Sequence, residues 1–155
     1  MIQRIQSIWL FLATLVLILM MFLPLVTKVA DGSEWIIYTS GSHHILTGKS
    51  GTGLRAEVFL PLLITNIVLI ILCFVNIFFF KRRTLQKRLA VFTILAIIGF
   101  AFWCSVYAKE LPGGIEGASF GVGAYLPAAA ILFIVLAIFG INKDERLIRS
   151  AERLR

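Results

Sequence analysis

The chain has 155 residues, 59% of them hydrophobic, a mean hydropathy of +0.95 and a formal net charge of +7. That is one domain's length, and four uncharged apolar stretches leave no room in it for a separate soluble unit. The basic residues flank those stretches instead of clustering on a soluble face, which argues against a nucleic-acid partner.

The first apolar stretch is Ser7–Val26. It contains no Asp, Glu, Lys, Arg or His, and neither do Val58–Phe80, Leu89–Ala108 and Phe120–Ile141. Each is 20 to 23 residues long, and a helix crossing a hydrocarbon core of ~30 Å needs about 20. The period-two alternation of a barrel strand is missing, since Ile67–Leu72 is apolar throughout. The expected fold is an all-α integral membrane protein. One domain, 1–155, forms an antiparallel four-helix transmembrane bundle with spans at about 7–26, 58–80, 89–108 and 120–141. A short cytoplasmic amphipathic C-terminal helix follows in the tail, 142–155, and a small β-hairpin lies on the outer side. Arg4 precedes the first stretch as it would in a signal peptide. The stretch is long for that role, and Lys28 before Ala30 makes a poor cleavage site, so the reading is an uncleaved helix.

The connection from Thr27 to Glu57 is about 30 residues, long for a link between helices. Within it, Glu34-Trp-Ile-Ile-Tyr-Thr39 and Ile45-Leu-Thr47 read as the two strands of a hairpin. Gly48-Lys-Ser50 echoes a phosphate loop, but the required earlier Gly would fall at His43. His43 and His44 are the chain's two histidines. Adjacent side chains diverge, and no nearby Cys completes a zinc set, so no metal site is expected.

In the second stretch, Asn66, Cys73 and Asn76 share a polar sector of the helix. Two readings compete: polar groups that glue helices together, or a track for a solute. No charged residue joins the sector, so packing is the stronger reading. Cys73 and Cys104 lie at different depths and are expected to be free thiols. Between the second and third stretches, Lys81–Arg88 carries five basic residues and no acid. Its brevity makes those two helices antiparallel neighbours.

The fourth stretch opens with Gly117-Ala-Ser-Phe-Gly-Val-Gly-Ala-Tyr-Leu-Pro127. Gly117 and Gly121 read as a small-xxx-small helix contact, and Pro127 predicts a kink. The tail from Lys143 places Leu147, Ile148, Ala151 and Leu154 on one face. Arg146, Arg149 and Arg153 occupy the other. These arginines are candidate contacts with anionic lipid or with a protein partner. Eleven of the 15 Lys and Arg fall before the first stretch, in 81–88, or after the fourth. The positive-inside rule then puts both termini in the cytoplasm. Trp103, Tyr107 and Tyr125 near the outer ends and Trp9 near the inner end fit interfacial belts.

The opening Met1-Ile-Gln-Arg-Ile-Gln6, the loop Phe79–Leu89, the Gly123-Ala-Tyr-Leu-Pro127 turn and the end Lys143–Arg155 resemble a four-span inner-membrane family of Bacteroidota known as a domain of unknown function. The resemblance implies a bacterial cytoplasmic-membrane protein and carries no activity with it. The residues themselves offer no nucleophile–base pair and no ligand set. The expectation is therefore a non-enzymatic accessory or scaffold subunit, without catalytic residues, metal or cofactor. Its partners would be the bilayer with its anionic inner leaflet and a protein contacting the outer loop or the tail, with no nucleic acid. The alternative is a small-solute transporter or channel using Asn66, Cys73 and Asn76.

Overall fold

The computed structural model describes residues 3–30, 33–48, 51–109 and 114–153. Four α-helices are present: α1 (Gln3–Leu19), α2 (Leu60–Phe78), α3 (Arg83–Lys109) and α4 (Leu126–Arg153). Five strands accompany them: β1 (Val26–Ala30), β2 (Ser33–Tyr38), β3 (Gly41–Gly48), β4 (Gly51–Val58) and β5 (Ser119–Phe120). The helices form a ring, with α1 packed on α2 and α4, and α3 packed on the same two.

One pattern builds that ring. Buried residues recur at alternating intervals of three and four along every helix. On α1 they are Gln6, Leu10, Ala13 and Leu17, with Met20 continuing the spacing just past its end, and on α2 Leu62, Asn66, Leu69, Cys73 and Asn76. On α3 they are Gln86, Ala90, Thr93, Ile97 and Phe100, and on α4 Ala130, Ile134, Ala137, Ile141 and Asp144. Such a spacing averages 3.5 residues and keeps one narrow seam facing the partners. The opposite faces are apolar and exposed, as at Phe102 (72%), Leu95 (62%) and Phe139 (65%). Threonines inside these helices, Thr14, Thr65 and Thr93, return their hydroxyls to the carbonyl four residues back.

Among the described residues, three helical stretches are long and apolar enough to cross a membrane: Leu60–Phe78, Arg83–Lys109 and Val122–Arg146. The first is not among them. The α-helix expected over 7–26 ends at Leu19 and has 17 residues, or about 25 Å at 1.5 Å per residue. The amides of Met21 and Phe22 reach back only three residues, to Ile18 and Leu19. Pro24 then prevents continuation, and Thr39 Oγ1 donates to the Met20 carbonyl (3.1 Å).

The α1–α2 and α3–α4 connections form a single antiparallel sheet in the order β4-β3-β2-β1-β5. The expected hairpin is its centre, with Glu34 opposite Ile45 and Ser33 opposite Leu46. The sheet extends further because β1 pairs with β2, and because β5, from the distant α3–α4 connection, pairs with β1 through Val26–Phe120 and Thr27–Ser119. Lys28 crosses to the same connection, its Nζ donating to the Gly114 carbonyl (2.8 Å).

Three local expectations are corrected. Lys81–Arg88 is hardly a loop: a 3-10 turn covers Phe79–Lys81 and α3 begins at Arg83. Pro127 is the second residue of α4, where its missing N–H costs nothing, so it starts a helix instead of kinking one. The tail is not a separate amphipathic helix, because α4 runs unbroken through Arg153. No Gly or Pro follows Gly140 to interrupt it.

Gly117 and Gly121 do not make a helix contact either. Gly117 sits in a turn with φ of 73°. Gly121 and Gly123 donate their amides to the Leu25 and Pro24 carbonyls (2.9 and 3.0 Å). A Cβ on Gly121 would lie 2.2 Å from the Pro24 carbonyl oxygen, and one on Gly123 2.7 Å from it. Gly99, inside α3, has open space instead. Alanine should therefore act with opposite signs. Gly121→Ala or Gly123→Ala should cost about 1–3 kcal/mol through overpacking. Gly99→Ala should gain about 0.8–1 kcal/mol of helix propensity. Thermal unfolding in detergent reads both.

Candidate functional site

Several polar side chains of the helices lie on their inward seams. Asn66 (0% exposed), Cys73 (1%) and Asn76 (1%), the sector expected on the second helix, all occupy the inward seam of α2. Cys73 Sγ donates to the Leu10 carbonyl on α1 (3.6 Å). Asn66 has neither a donor nor an acceptor partner for its amide among the described residues. Cys73 and Cys104 are both free.

The structure adds four residues that sequence reasoning missed. Gln6, Gln86, Thr93 and Asp144 are buried on the same seams. Gln6 Nε2 donates to Asp144 Oδ2, joining α1 to α4. Gln86 Nε2 donates to the Asn76 backbone carbonyl (3.2 Å), joining α3 to the end of α2. That carbonyl also accepts the Phe79 amide, so Gln86 helps close a helix end that would otherwise lack partners. A signal for these residues existed. Thr93 lies in phase inside the third stretch, and the other three lie in phase within one turn of a stretch: Gln6 before Leu10, Gln86 before Ala90, Asp144 after Ile141.

The four residues Gln6, Asn76, Gln86 and Asp144 share one level. The end of α1 and the start of α2 meet the same turn of the sheet, through Thr39 to Met20 and Phe59 to the Ser40 carbonyl. These two helices are thus antiparallel. From the Cys73–Leu10 contact, one turn along α2 reaches Asn76 and one turn back along α1 reaches Gln6, each about 5 Å farther from the sheet. Gln86 is fixed to Asn76 and Asp144 to Gln6 by the bonds above. One buried polar side chain per helix therefore crosses the core at the end opposite the sheet. Beside it, Lys87 pairs with Glu145 (2.5 Å) on the partly exposed surface of α3 and α4.

Elsewhere the candidate residues are dispersed. His44 stacks on Trp35 (3.7 Å between ring centres) and His43 meets Tyr38 edge-on (5.2 Å), so the two imidazoles have separate aromatic neighbours. Among the described residues no group of three His, Cys, Asp or Glu could hold a metal ion. Arg146 is exposed. The side chains of Arg149 and Arg153, like those of Leu147, Ile148, Ala151 and Leu154, lie outside the described residues, as do Lys49 and Ser50. An apolar cleft of about 380 Å³ lies under the sheet, lined by Met20, Leu25, Cys104, Ala108, Tyr125 and Pro127.

Two substitutions separate the roles within the seam. Gln6→Leu removes the donor facing Asp144 and should cost about 1.5–3 kcal/mol, the range for a hydrogen bond to a charged group. Asn66→Leu replaces an amide whose two polar atoms lack partners. It should leave stability unchanged or raise it by about 1 kcal/mol. Unfolding midpoints of the two variants, measured in one detergent, test this ordering.

No curated protein matches the chain. A family model described as a domain of unknown function, DUF4293, matches residues 2–154. With nearly every residue inside that match, the chain belongs to the DUF4293 family.

Proposed function

We propose that this chain is a four-span, non-enzymatic accessory or scaffold protein of the bacterial cytoplasmic membrane, with both termini inside and the sheet outside. Support for a fourth span comes from the face of α1. Ile5, Ile8, Phe11, Leu15, Ile18 and Leu19 are each two-fifths or more exposed, an apolar surface that continues the belt on the other three helices. A short helix is accommodated by local bilayer thinning at modest cost. Basic residues concentrated at the end away from the sheet support the orientation. The match to a domain of unknown function supplies no activity.

The observation that carries the scaffold reading is the unbroken course of α4. Its apolar part ends at Ile141, yet the helix continues through Arg153 with Arg146 exposed. The continuing helix carries positions 146, 149 and 153 past the apolar part, with Arg146 exposed. A protein partner there accounts for the extension better than a flat lipid surface. The parallel reading, solute transport along Asn66, Cys73 and Asn76, draws support from their common burial.

Two experiments test this proposal. In a Cys73→Ala, Cys104→Ala background, Glu116→Cys should react with a membrane-impermeant thiol reagent in intact spheroplasts and Thr84→Cys should not. Both positions are exposed, and the reverse pattern inverts the orientation. In mild detergent the full chain should co-purify with a stoichiometric partner, and changing Arg146, Arg149 and Arg153 together to Gln should release it. A chain that purifies alone and supports solute flux in proteoliposomes would replace the scaffold reading with the transport one.

A further inference from the structure

The polar layer of Gln6, Asn76, Gln86 and Asp144 holds more acceptors than donors. Asn76 Oδ1, Gln86 Oε1 and Asp144 Oδ1 are buried and have no hydrogen-bond partner among the described residues. The residues that carry them are 1%, 1% and 5% exposed. Gln6 Nε2 meets only the other carboxylate oxygen, Oδ2. The ion pair beside the layer joins Lys87 to Glu145, not to Asp144. Packing alone does not explain this set. Orphaned buried oxygens each carry a desolvation penalty, and an unpaired buried carboxylate carries a larger one.

We propose that this layer is a binding site for a monovalent alkali cation, held by the carboxylate of Asp144 and the side-chain carbonyls of Asn76 and Gln86. Hard cations take carboxylate and amide oxygens as ligands. The charge count selects the monovalent class. One carboxylate among neutral amides is neutralised by a single positive charge. A divalent ion would leave a net charge in a core walled by Leu10, Ile141 and Cys73, where uncompensated charge is costly. The ligands come from α2, α3 and α4, and α1 contributes Gln6, which orients the carboxylate through Oδ2. Residues neighbouring Asp144 in sequence open to the surface. A cleft of about 360 Å³ is lined by Lys87, Asn142, Glu145 and Arg146, the last three adjoining Asp144 along α4. Glu145 neutralises Lys87 there, and Arg146 is solvent-exposed, where salt screens it. The site goes beyond the scaffold reading and stands whether or not a partner binds.

The test is thermal unfolding of the full-length protein in detergent, in lithium, sodium, potassium or choline chloride at equal ionic strength. At least one alkali cation should raise the midpoint over choline, and the midpoint should climb with the logarithm of its concentration, as for any ligand bound to the folded state only. Asp144→Asn and Gln86→Leu should each abolish that dependence, while Asn66→Leu, nearly three turns away along α2, should keep it. Identical midpoints in all four salts overturn the proposal and leave a hydrogen-bonded layer only. So does stabilisation by calcium or magnesium without any by the alkali ions. An alkali effect that survives undiminished in both Asp144→Asn and Gln86→Leu places the ion elsewhere and equally overturns it. The wild-type comparison decides even where a variant fails to fold.

Discussion

The 3-4 seam running along each helix is the constraint on which the other features rest. It turns the usual partition of a protein inside out. Gln6, Asn66, Asn76, Gln86 and Asp144 are buried, while Phe22, Phe102 and Phe139 are exposed by two-thirds or nearly so. Water would penalise that arrangement at every exposed ring, at about 25 cal/mol for each Å² of apolar surface. Hydrocarbon penalises nothing on the outside and makes the buried polar side chains cohesive. Helices in such surroundings gain little from hiding leucine, because lipid is as apolar as leucine. Close packing and the few polar contacts must hold them together. Small and medium residues at the seam, Ala13, Ala90, Ala130 and Ala137, permit that approach.

The sheet answers a different problem. The turn from Met20 to Leu25 and the segment from Phe120 to Gly123 come from opposite ends of the chain, and both must leave the helix ends with their backbone groups satisfied. They do so on each other. Gly121 and Gly123 bind the Leu25 and Pro24 carbonyls, and β5 continues the ladder of β1. Glycine is required at both positions because the two backbones touch. The cap on α1 also comes from the sheet, through Thr39. Helices and sheet are therefore one construction, with the strands closing what the helices leave open.

Much of this was legible in the sequence, and the exceptions share a cause. Long uncharged stretches fixed the identity of α2, α3 and α4, since composition alone decides them. The β2–β3 pairing was legible because a local alternation and a short turn specify it. The β1–β5 pairing was not, since its partners lie about 92 residues apart and β5 contributes only Ser119 and Phe120. The early end of α1 was hidden because Met20–Leu23 is as apolar as the helix before it, and only Pro24 marks the change. Polar residues inside the apolar stretches, Asn66 and Asn76, stand out by contrast. Gln6, Gln86 and Asp144 do not, because they sit among Arg4, Lys87 and Lys143, where polar residues are ordinary. Phase against the seam distinguishes them, and phase is read only once the seam is known.

That phase also limits how the molecule can move. α1 is fixed at both ends, by Gln6 to Asp144 at one and by the Met20 carbonyl to Thr39 at the other. Between them Leu10, Ala13 and Leu17 are fully buried. Sliding α1 by one residue shifts it about 1.5 Å and turns the matching side chain by 100°. That would carry Gln6 off the seam and put Ile5 or Ser7 in its place. A small displacement thus costs a charge-assisted hydrogen bond and a set of close-packed contacts together, and no intermediate position keeps half of either. Interiors packed in this way respond in discrete steps. The polar layer and the sheet at the opposite end are thus joined through one helix, α1, whose register both ends fix.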